Sequence, residues 1–174
     1  MIGYRHADPR FPFLWETDRQ PAARWHADHA GPAHYFSDTP YGAWAEFLRH
    51  EGITDTADLP GIRRAIWAVE LGAVPTDTPT LSDATLRGGL PTYAACQCEA
   101  QRLRARGKSG LRSPSAALRP GGASGWQVNA GLTVGPHRNG QVFVLFGARP
   151  DLVGWQVVET GQPPDYLLSR VRSL

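Results

Sequence analysis

The chain has 174 residues, the length of one domain, with 41% apolar residues and six tryptophans, enough for a packed core. No stretch approaches the ~18 apolar residues of a membrane span, and Met1-Ile2-Gly3-Tyr4-Arg5-His6 lacks the apolar run of a signal peptide, so a cytoplasmic protein is expected. The net charge of +2 is unevenly spread: residues 1–99 carry 8 basic against 13 acidic side chains, residues 100–174 carry 10 against 3, and the basic half suits an anionic ligand.

His6 to Ala33 reads as irregular chain, with prolines at 9, 12, 21 and 32 between aromatic residues, the kind of segment that lines a cleft. Ala33 to Ser37 reads as a short strand. Thr39 then offers an N-cap and Pro40 a first helical residue, predicting a helix to about His50 that stops at Gly52. Ala43, Trp44, Phe47 and Leu48 form its apolar stripe, and Glu46 falls at the polar edge of that stripe. Ala65 to Leu71 has the β-branched and aromatic content of a strand. Thr92 to Arg106 reads as a second helix closed by Gly107. Three strands are predicted at 125–134, 141–146 and 154–159, then a short helix over 165–171. Helices early and strands late imply an α+β fold with a mostly antiparallel sheet.

The chain carries no glycine-rich phosphate loop with lysine and no dinucleotide fingerprint. Cys96 and Cys98, without a second cysteine pair, read as plain buried thiols, and His26 and His29 lack a third ligand, so no metal is expected. One local grouping stands out. Arg24 precedes a short loop, Tyr35 lies in the following strand and Glu46 on the helix after it. A cation, an aromatic face and a carboxylate can together hold a phosphate, stack a ring and accept from a sugar hydroxyl.

These positions resemble the RES-domain family, named for an Arg, a Glu and a Ser. The similarity runs through Tyr4-Arg5, Arg24-Trp25 followed by Gly31 and Tyr35, Ser37-Asp38-Thr39-Pro40, Ala43-Trp44-Ala45-Glu46, and Pro114-Ser115-Ala116-Ala117. The chain departs from the family pattern at Ala22-Ala23 and His26, and echoes its Asn-Pro-x-His stretch only loosely in Asn129 and Gly135-Pro136-His137. The resemblance implies a split β-core like that of ADP-ribosyltransferases. It also implies consumption of NAD⁺ as a substrate, and a toxin that meets an antitoxin, such as a helix-turn-helix protein.

The resemblance assigns catalysis to Glu46, Arg24 and Ser115, and NAD⁺ binding to Arg24, Tyr35, Tyr4 and Arg5, with Tyr93 a lesser candidate. Glu46 would stabilise positive charge on the ribose, Arg24 would clamp the pyrophosphate, Tyr35 would stack on nicotinamide and Ser115 would orient Glu46. The acceptor would be water or phosphate; a second possibility is transfer of ADP-ribose to a protein or nucleic acid. A third, non-enzymatic possibility is a nucleic-acid-binding module built on the basic stretch Arg102 to Arg119. That stretch holds no aromatic residue on which a base could stack.

Overall fold

A computed structural model of the chain describes residues 1–14, 16, 20–73 and 77–173. Six strands form one antiparallel sheet: β1 (Ile2–Ala7), β2 (Ala33–Ser37), β3 (Arg64–Glu70), β4 (Gly110–Pro114), and two later strands. A ribbon comes between, made of β5 (Trp126–Val128) and β6 (Leu132–Val134), before β7 (Gln141–Phe146) and β8 (Val153–Gly161) return to the sheet. The spatial order is β4-β7-β2-β1-β3-β8.

The middle of that sheet is nearly parted. β2 pairs with β7 through five residue pairs and β1 with β3 through six, but β1 meets β2 only at Tyr4 and Ser37. Two three-stranded halves therefore meet at one rung.

Each half packs on its own helix. Helix α1 (Pro40–His50) lays Phe47 and Leu48 against Ile66 of β3 and Leu167 near the C-terminus. After the short α2 (Asp83–Arg87), α3 (Tyr93–Ala105) places Cys96, Ala100 and Leu103 against Leu111 of β4, Val144 of β7 and Trp25. Leu48, Leu111 and Val144 are completely buried, and burying each such side chain contributes about 1.5–3 kcal/mol. The start of α1 follows its sequence signals: the Thr39 Oγ1 accepts from the Gly42 N–H at 3.1 Å and Pro40 opens the helix.

The α+β fold with a mostly antiparallel sheet is as expected, but several boundaries differ. The single strand expected over 125–134 is a hairpin, broken where Ala130 and Gly131 take positive φ values of 50° and 136°. Strands β1 and β4 and helix α2 carried no legible pattern. In β1, Gly3 interrupts the alternation because a Cβ there would lie 2.7 Å from Leu71 and 2.8 Å from Phe36. The short terminal helix is a 3₁₀ segment, Asp165–Arg170. Cys96 is buried as expected, whereas Cys98 is exposed, because α3 turns that side chain away from the sheet.

Candidate functional site

A cavity of about 590 Å³ opens where the two half-sheets part, within the ~300–1,000 Å³ typical of small-molecule sites. Its lining includes Tyr4 and Arg5 of β1, Arg24 and Trp25 of the irregular segment, Tyr35 of β2 and Glu46 of α1. Each element brings its group in for a local reason. β1 brings Tyr4 and Arg5 and β2 brings Tyr35, while α1 brings Glu46, which lies between the buried residues Ala45 and Phe47.

Glu46 is half-buried, and removal from water pushes its pKa above the ordinary carboxylate range. Four groups pull the other way: the Ser115 hydroxyl, then the charges of Arg49 and Arg24, then the Ala117 backbone N–H. The Ser115 Oγ–H donates to Glu46 Oε1 at 2.9 Å. The Ser115 Oγ in turn accepts the N–H groups of Ala117 and Leu118 at 3.2 Å, so a tight turn after β4 fixes it. Ser115 is 1% exposed and lies behind Glu46 rather than on the cavity surface. It positions the carboxylate.

Arg24 is 8% exposed and its charge meets no carboxylate partner among the described residues. One terminal nitrogen donates to Thr92 Oγ1 at 3.1 Å and the other to the Gly88 carbonyl, while the guanidinium lies over the Tyr93 ring at 4.7 Å. Arg24 thus ties down the connection between α2 and α3. Arg49, three residues after Glu46 on α1, donates to the same Gly88 carbonyl at 3.1 Å, and its Nε is buried without a hydrogen-bond partner. Sequence reasoning missed Arg49; its spacing from Glu46, one turn along the same helix face, was the available signal.

Tyr35 lines the cavity through its ring. Its hydroxyl accepts the Trp25 N–H and faces His26 Nδ1, both at 3.0 Å, and burial pushes its pKa upward, so it stays protonated. His26, one of the departures from the family pattern, is therefore a partner that holds Tyr35. Arg5 and Arg64 also line the cavity, together with His6. The basic stretch after residue 100 is largely engaged elsewhere: Arg102 pairs with Glu99 at 2.7 Å, and Arg104 lies over Phe146 at 4.1 Å while donating to the Pro32 carbonyl. No group of three His, Cys, Asp or Glu side chains able to hold a metal ion occurs among the described residues.

The family model for the RES domain matches residues 3–167. The chain belongs to the RES-domain family. Among solved structures, a chain of the crystal structure of the M. tuberculosis MbcT-MbcA toxin-antitoxin complex is similar, with a TM-score of 0.61 and 17% identity over 97% of this chain and 86% of that one. That likeness carries the fold, a mixture of helices and strands with a mostly antiparallel sheet. A search of curated proteins finds no match. Within this RES domain, Arg24, Tyr35 and Glu46 stand around one cavity and Ser115 is bonded to Glu46.

The hydrogen bond from Ser115 makes a specific pH dependence expected. Burial raises the Glu46 pKa and Ser115 lowers it again. A reaction that needs the ionised form proceeds above that pKa and fades as pH falls through it. Ser115→Ala removes the lowering influence, so the acid limb of kcat/KM moves to higher pH. The loss of one hydrogen bond to a charged group corresponds to a move of roughly one pH unit or more. A pH–rate profile checks this; an unmoved acid limb in a folded variant would separate Ser115 from Glu46.

Proposed function

We propose that this RES domain cleaves the nicotinamide–ribose bond of NAD⁺ and passes the ADP-ribosyl group to water or phosphate. The observation that carries the reading is the half-buried Glu46 carboxylate, fixed by Ser115 and acted on by the charges of Arg49 and Arg24, in a cavity of dinucleotide size. In that reaction the C–N bond electrons leave with nicotinamide, whose ring cation becomes neutral. The ribose carbon gains positive charge as they go. Glu46 stabilises that charge and holds a ribose hydroxyl. The Tyr35 ring supplies a flat wall for nicotinamide. Arg24 and Arg49 supply the charge that meets the pyrophosphate, and the free Nε of Arg49 supplies a donor. Water then adds to the ribose carbon and loses a proton, or phosphate adds through an oxygen. Tyr4 and Arg5 extend the binding surface along β1.

Within a cell we assign the protein to the cytoplasm, where NAD⁺ is available, as a toxin held in check by an antitoxin. The similar structure is of a toxin–antitoxin complex, which supports a protein partner of that kind. The test is incubation with NAD⁺, with and without phosphate, followed by separation of products. Nicotinamide release is expected in both, with ADP-ribose formed in water and its phosphate ester when phosphate is present. Intact NAD⁺ after prolonged incubation would end this reading. Labelled ADP-ribose appearing on an added protein or nucleic acid would favour transfer to a macromolecule instead.

A further inference from the structure

The six-stranded sheet has two edges, and they are finished differently. At β4 the backbone of Asp77 lies alongside the strand: its N–H donates to the Gly110 carbonyl at 3.2 Å, and its carbonyl accepts the Arg112 N–H at 2.9 Å. At β8 no described residue pairs with the outer side. Sheets usually protect such an edge with a lysine, a proline or an inward-pointing charge. The run Leu152 to Val158 contains none of these.

Both faces of the sheet carry apolar groups along this edge. On one face, Val153 stands in a row with Glu70 and Ile2, and Trp155 in the next row with Ala68 and Tyr4. Val153 is 55% exposed, Trp155 51% and Ile2 42%, so helix α1 does not cover them. On the other face Gly154 lies under Phe13, whose ring carbons come within 2.9–3.2 Å of where a Cβ would stand. A side chain at Gly154 would displace that ring, so the strand keeps a bare backbone there. Beyond Gln156 the register against β3 shifts twice, which confines the straight part of the edge to Val153 through Gln156.

We propose that β8 pairs antiparallel with the β8 of a second copy of this chain, about a twofold axis at Gly154. Directly opposed residues of an antiparallel pair share a face. An axis at Gly154 therefore sets Val153 of each copy opposite Trp155 of the other. A β-branched residue against an aromatic one is a favourable cross-strand pair, and the symmetry makes it twice. Gly154 meets its own copy, with a Phe13 ring from each chain beside it. No charged residue falls in the paired stretch, so the symmetry brings no like charges together. This self-complementarity is what a second copy supplies and an arbitrary strand does not. The covered β4 edge stops the assembly at two copies, where an open one would continue it into a fibre. Phe13 also lines the cavity, so the paired edge backs one of its walls.

The test is sedimentation of the intact chain over a range of concentrations. The wild-type protein is expected to pass from one chain to two as concentration rises, and to stop there. Trp155→Lys, and independently Val153→Glu, should each weaken the association by roughly tenfold or more. Their circular dichroism should match the wild type, since both side chains are more than half exposed. An equal mixture of the two variants should regain the association. In the mixed pair the new ammonium stands opposite the new carboxylate, and native Val153 and Trp155 fill the other position. A wild-type chain that stays monomeric to its solubility limit would overturn self-pairing and leave the edge to a different protein. Association that neither substitution weakens would put the interface elsewhere and overturn it equally. A mixture no stronger than the variants alone would overturn the pairing about Gly154.

Discussion

Glu46→Gln is expected to lower nicotinamide release by on the order of 10²–10³, the usual effect of removing one preorganised electrostatic group. Gln keeps the length of the side chain and an oxygen that can still accept from Ser115, so the turn after β4 is undisturbed. What disappears is the negative charge, which matters only as the ribose becomes positive. The loss therefore falls on kcat, with ligand affinity nearly unchanged. The fold should not suffer. Burial raises the Glu46 pKa, so above its unfolded value the ionised group opposes folding, and an uncharged amide relieves that. The check is turnover measured beside a thermal melt and an ADP-ribose titration. A variant that melts normally and retains activity within a few-fold of wild type would show that another group bears the charge.

Arg24→Ala should damage both the fold and the reaction. Its guanidinium bridges Thr92 and Gly88, and no other side chain among the described residues meets the Thr92 hydroxyl. Hydrogen bonds from a charged donor contribute about 1.5–3 kcal/mol each. Relief of the repulsion between Arg24 and Arg49 offsets part of the loss. A net cost of about 2–3 kcal/mol lowers Tm by roughly 5–10 °C for a chain of this size. Turnover should fall by on the order of 10², because the loop slackens and the cavity loses a cation. Arg24→Lys restores little, since an ammonium cannot reach both acceptors while lying over Tyr93. Unchanged melting in Arg24→Ala would show that the loop is held by Arg49 alone.

Much of this was written locally in the chain. Thr39-Pro40 announced α1, and a stripe on one helix face placed Glu46 at its margin. The strand expected over 141–146 is β7, and the structure buries five of its six residues. The strand β1 was illegible because Gly3 is chosen by two neighbours distant in sequence, Leu71 and Phe36. At the site, resemblance to the RES family named Arg24 and Ser115, but their partners are set by packing. Arg24 serves the loop at Gly88, a residue 64 positions away, and no spacing rule reaches that far. Arg64 and His6 meet only because β3 lies beside β1. The charge asymmetry between the two halves of the chain misled, since the arginines of the cavity come mainly from the acidic half.

The single rung at Tyr4 and Ser37 makes the width of the gap the most compliant dimension of the molecule. Sliding β2 along β7 would break five pairs, whereas spreading the two halves strains one. A ligand that touches Arg5 on one side and Tyr35 on the other acts as a cross-brace, supplying the rungs that the backbone lacks. Its binding energy is then also stiffness: the filled protein resists spreading that the empty one tolerates. Occupancy is accordingly felt along both half-sheets, out to the far edges at β4 and β8, as a change in elasticity more than in shape.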